Sequence, residues 1–100
     1  MKLKKEKIKG YRAEQLEKQD GICPLCETEI EDGVGTLDHD HGDGYVRKVL
    51  CRNCNSVEGR VLAWVKRTKT VHSVWLTNLL MYWEEDYSGN PLHPTHKHQL

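Results

Sequence analysis

The sequence has no phenylalanine and no surplus of either charge: fifteen Lys and Arg stand against fifteen Asp and Glu, and only 37% of residues are apolar. The first absence, with so few apolar residues, excludes a large hydrophobic core. Trp64, Trp75, Trp83 and the four tyrosines must therefore supply much of the packing. A chain of 100 residues makes one domain, and a domain of that size buries only about two-thirds of the surface its unfolded form exposes. No apolar run approaches the roughly 20 residues that cross a bilayer. The lysine-rich start lacks the apolar segment of a signal peptide. The expectation is a soluble, intracellular protein with no membrane partner.

The zero net charge conceals an uneven distribution. Met1 to Arg12 carries six basic residues and one acidic; Glu27 to Asp43 carries seven acidic and none basic; Tyr45 to Thr70 carries seven basic and one acidic. Basic stripes around an acidic centre suit a nuclease, with cations on phosphates and carboxylates collecting a divalent ion. Solvated helix faces are the alternative. The candidate phosphate contacts are Arg47, Lys48, Arg52, Arg60, Lys66 and Arg67.

The four cysteines form two Cys-x-x-Cys pairs, Cys23/Cys26 and Cys51/Cys54, with 24 residues between Cys26 and Cys51. That spacing fits a closed four-thiolate zinc site, one ion in all. Disulfides or a redox pair are the alternatives, but neither secretion nor a βαβ frame is visible. Zinc binding contributes on the order of 10 kcal/mol in small modules, enough to decide the folding of a lean core.

In chain order, about Lys4 to Gln19 reads as a basic helix on which Ile8, Tyr11 and Leu16 make a loose apolar face, ended at Gly21. Gly33 to Asp40 and Tyr45 to Leu50 read as strands joined through Gly42-Asp43-Gly44, a hairpin signal. Asn53 to Lys66 follows as a helix, with Val57, Val61, Leu62, Trp64 and Val65 as candidate buried positions. A last helix from about Val71 to Tyr87 carries two apolar stripes. One small domain does not readily bury both, so a helix-mediated homodimer is expected, with a helix sandwiched inside a monomer as the alternative. The expected fold is α+β and mainly helical, one domain over residues 1–100: a basic helix (1–20), a zinc-bound strand–strand–helix core (21–67), a dimerisation helix (70–88) and a tail (89–100).

Between the cysteine pairs lies Thr36-Leu37-Asp38-His39-Asp40-His41. His39, with a histidine reference value near ~6.5, can take a proton from water at neutral pH. Asp38 and the side-chain oxygen of Asn55 are hard ligands suited to Mg²⁺ or Mn²⁺. Glu58 stands three residues after Asn55 on the same helix face. His41 could steady the site or touch a phosphate. Strict strand alternation separates Asp38 from His39, so their joint action on one phosphate needs a strand end or a bulge. Singly, Asn55 and Glu58 could merely cap and solubilise a helix. His72, His93, His96 and His98 fall outside any ligand spacing.

The set Cys23-x-x-Cys26, Leu37-Asp38-His39-Asp40-His41, Val46-Arg47, Leu50-Cys51-x-x-Cys54-Asn55 and Glu58-Gly59 resembles the phage recombination endonuclease VII family, within the His-Me finger (ββα-metal, HNH-like) nucleases. The resemblance implies His39 as general base, Asp38 and Asn55 as catalytic metal ligands, Glu58 beside that metal, and a structural zinc on the four cysteines. It also implies an intertwined homodimer acting on branched DNA such as four-way junctions. Thr36 stands where junction-resolving members can have another histidine, and the sequence ends at Leu100, short of the further C-terminal region those members use. Metal-dependent DNA cleavage is the expectation, with junction resolution, nicking and duplex cleavage all open. A non-catalytic zinc module that binds DNA or protein is the alternative.

Overall fold

A computed structural model describes residues 2–31 and 33–95. After a 3₁₀ turn at Lys5–Lys7, the chain forms helix α1 (Ile8–Lys18), strands β1 (Thr36–His39) and β2 (Val46–Leu50), and helices α2 (Arg52–Lys66) and α3 (His72–Glu84). It divides into two compact units, Met1–Trp64 and Val65–Leu100, with the boundary inside α2. No helix among the described residues is long and apolar enough to cross a membrane. The histidines at 96 and 98, and the tail from 96 to 100, lie outside the described residues.

In the first unit, α1 ends as its sequence predicts but through two residues. Asp20 and Gly21 both take positive φ, and the Gly21 N–H returns to the Leu16 carbonyl at 2.9 Å. This is a Schellman-type close that lets the chain reverse into the first cysteine pair. There Cys23 N–H bonds the Thr28 carbonyl at 2.9 Å and Ile30 N–H bonds the Gly21 carbonyl at 2.7 Å, folding the knuckle into a small antiparallel loop.

Strands β1 and β2 pair antiparallel, Thr36 with Leu50, Leu37 with Val49 and His39 with Val46. Two steps along β1 thus match three along β2, so Arg47 and Lys48 together oppose Asp38: the bulge lies in β2. The core of this unit is Leu16, Cys23, Ile30, Val49 and Leu50, with Leu37, Cys51 and Cys54 packed against it. Gly35 is required at the base of β1, because a Cβ there would stand 2.5 Å from Val49 Cγ1 and 3.0 Å from Ile30 Cγ2.

A clamp that the sequence pattern does not disclose joins α1 to the sheet. The Gln19 side-chain amide accepts from Val49 N–H at 2.8 Å and donates to the Val49 carbonyl at 2.8 Å, pairing like one residue of a third strand. Val49 is fully buried, so Gln19→Leu would leave a donor and an acceptor without partners. The expected loss is about 2–4 kcal/mol of unfolding free energy, measurable by urea denaturation; a loss below about 0.5 kcal/mol would refute the clamp.

Helix α2 places Cys54, Asn55, Glu58, Val61, Leu62 and Val65 on its partly or fully buried side. Val57 and Trp64, seven residues apart on the other side, are 55% and 57% exposed and do not enter the core expected of them. In the second unit, α3 buries no residue fully; Trp75, Leu76 and Leu79 are half-buried, while Val74, Leu80, Met81, Tyr82 and Trp83 are exposed. Tyr87 closes the end of this helix by donating its hydroxyl to the Tyr82 carbonyl at 2.6 Å.

Candidate metal centre and active site

The four cysteines converge. Their sulfurs all lie within 4.8 Å of one another, and those of Cys26 and Cys51 are 3.8 Å apart. Tetrahedral zinc with sulfurs at about 2.3 Å requires a sulfur–sulfur separation of about 3.8 Å, so this soft, all-sulfur donor set fits a closed structural site. The thiols are free. Burial pushes the Cys23 thiol up, but backbone N–H groups of Cys26, Cys51 and Leu25 outweigh it and bring it down to about 6. Cys54, crowded by the sulfurs of Cys51 and then Cys26, is pushed up to about 12. Sulfurs gathered this closely cannot all be thiolates without a cation among them, the condition that a bound dication relieves. Cys51 also precedes the first residue of α2, and its sulfur lies 3.4 Å from the Cys54 N–H it caps.

Between the cysteine pairs, the hairpin carries the acid and imidazole side chains. Its loop is held by Asp40, whose carboxylate accepts from Gly42 N–H at 2.7 Å and Asp43 N–H at 3.1 Å. Those two donors hold the Asp40 carboxyl below its ordinary range, Asp43 first. Gly44, at φ +82, provides the left-handed residue that returns the chain to β2. Asp40 therefore builds the turn.

Asp38 and His39 part company. Asp38 is buried, 7% exposed, and its Oδ2 accepts from Arg47 Nε at 2.6 Å. The same guanidinium donates from Nη2 to Glu58 Oε1 on α2 at 3.0 Å. The pKa of Arg47 is raised, first by the Asp38 hydrogen bond and also by that to Glu58. His39 is exposed, with its ring centroid 4.6 Å from that of His41. It lines a cleft of about 670 Å³ together with Leu37, Tyr45, Ile8, Tyr11 and the N-terminal Lys2. The imidazole is thus open to solvent beside the lysine-rich start of the chain, while the carboxylate turns to Arg47 of β2.

Asn55 is half-buried in the first turn of α2, its N–H bonded to the Cys51 carbonyl at 3.0 Å, and shares with Glu58 the side on which Cys54 sits. Among the expected phosphate contacts, Lys48, Arg52, Arg60, Lys66 and Arg67 are exposed, the last two in the second unit. Arg47 is instead engaged by two carboxylates. No sequence pattern announces that pairing, which depends on the β2 bulge; the adjacent Val46-Arg47 in the motif was its only trace.

Asp38 and Glu58 meet on one guanidinium, and their carboxylates, like the side-chain oxygen of Asn55 in the first turn of α2, are the oxygen donor types that a hard divalent cation takes. The family model for recombination endonuclease VII matches residues 2–85. The chain therefore belongs to the recombination endonuclease VII family and is a nuclease acting on DNA.

Proposed function

We propose that this nuclease is a metal-dependent DNA endonuclease that hydrolyses phosphodiester bonds with His39 as general base. Asp38 and Asn55 would hold Mg²⁺ or Mn²⁺, with Glu58 beside them, and the four cysteines would hold a structural zinc. The observation that carries this reading is the convergence of Asp38 from β1 and Glu58 from α2 on a single positive charge, with an exposed imidazole at the position after Asp38 in the strand.

When bound, the divalent ion supplies Lewis acidity to the phosphate and to the leaving 3′ oxygen. The remaining work falls to the chain's own groups. His39 faces solvent and accepts the proton of the attacking water. His41, ring to ring with it, limits the orientations that imidazole can take. The N-terminus of α2, with Arg52 in its first turn, adds positive potential toward an anion. Lys48 and Arg60 are the phosphate contacts of the first unit, and Lys66 and Arg67, taken by themselves, are those of the second.

The exposed Leu80, Met81, Tyr82 and Trp83 of α3 favour a homodimer formed through this helix. Branched DNA, including four-way junctions, is the substrate class that goes with such a pair of sites, with nicking or cleavage of plain duplex as the simpler activities. The reading is tested on a supercoiled plasmid and a four-way junction, each with Mg²⁺ and without it. Ion-dependent cleavage of either is expected; tight binding with no cleavage in Mg²⁺ or Mn²⁺ would leave a non-catalytic zinc module.

A further inference from the structure

We propose that Arg47 is an internal cation that occupies the Asp38 and Glu58 carboxylates until a divalent ion takes them, so that metal loading and release of this guanidinium are one exchange. The inference rests on the cation site proposed above and adds to it the residue that competes for that site.

Asp38 is buried, and a buried carboxylate is kept charged only by a partner. Its partner is the Arg47 Nε at 2.6 Å, and the second arm of the same group reaches Glu58 at 3.0 Å. This one side chain therefore spans from the strand to the helix across the position where donors from both elements meet. The extra residue in β2 brings it there: with Arg47 and Lys48 both opposite Asp38, the strand can present a cation to the buried carboxylate and still continue into Val49 and Leu50 of the core.

A guanidinium and a dication cannot share these oxygens at low cost. Two like charges a few ångströms apart repel strongly where water is partly excluded. The Arg47 side chain is 39% exposed, whereas that of Asp38 is 9% exposed, so the arginine is the member free to move. Once displaced it carries its five donors into solvent beside the site, in the fork geometry that matches a phosphate. The exchange also explains how a carboxylate this enclosed stays paired in both states, with arginine before loading and with the ion after it.

The test is Mn²⁺ affinity, measured by calorimetry and by manganese EPR on the zinc-loaded protein without DNA, for the wild type and Arg47→Gln. Removing the competitor should tighten Mn²⁺ binding at least tenfold. Equal or weaker binding by the variant, with the wild type binding normally, overturns the exchange and leaves the cation site intact. No binding by either protein removes the cation site and the exchange together. Should Arg47→Gln fail to fold, the wild type still decides: the NMR signal of the Arg47 Nε–H, protected by Asp38 in metal-free protein, should lose its protection as Mg²⁺ is added. A signal unchanged at saturating Mg²⁺ also overturns the proposal.

Discussion

Replacing Cys54 with serine, or stripping zinc with a chelator, should abolish the cooperative thermal unfolding of the protein and not merely lower its midpoint. The first unit offers little else to hold it. Five buried side chains make its core, one of them Cys23 of the four-cysteine cluster. Helix α2 starts directly after Cys51, carries Cys54, and is joined to β2 by the partly exposed Arg47–Glu58 pair. Partly exposed ion pairs contribute little, whereas structural zinc contributes about 10–16 kcal/mol in small modules at neutral pH. That exceeds the whole of a typical domain's net stability at the lower end of its range, about 5 kcal/mol. The measurement is a melt followed by circular dichroism, with zinc content determined on the same sample. One zinc per chain should be found, and the chelated protein should melt without a sigmoidal transition. A chelated protein that still unfolds cooperatively within a few degrees of the untreated one would contradict a structural role for the site.

The same metal centre explains which parts of the molecule could be read from residues alone. Cys-x-x-Cys pairs, the Asp-Gly hairpin and the start of α2 are local patterns, each complete within a few residues, and each is found where its spacing puts it. What escaped are side chains whose partners lie far along the chain. Gln19 reads as a helix end, yet its amide pairs with a residue thirty positions away. Arg47 reads as one more cation in a basic stripe, yet a bulge in β2 turns it onto a buried aspartate. Trp64 fits a helical apolar period, yet the face it shares with Val57 is exposed in the single chain. Apolar periodicity says which residues could be covered; it does not say by what.

His39→Ala should lower DNA cleavage by about 10²- to 10⁴-fold, the usual contribution of a positioned general base, with zinc content and DNA affinity unchanged. The geometry makes so clean a separation reasonable. His39 is exposed, belongs to neither the core nor the cysteine cluster, and lies at the end of β1 where truncation removes no packing that holds the hairpin. The turn beyond it is held by the Asp40 carboxylate and the Asp40 N–H bonded to the Tyr45 carbonyl at 3.0 Å, neither of which involves the imidazole. Asp38→Asn makes the contrasting case: it removes the buried charge that pairs with Arg47, so it should weaken ion binding and disturb the β2 bulge together. If His39→Ala cleaves at the wild-type rate, another group takes the proton and the role assigned to His39 fails.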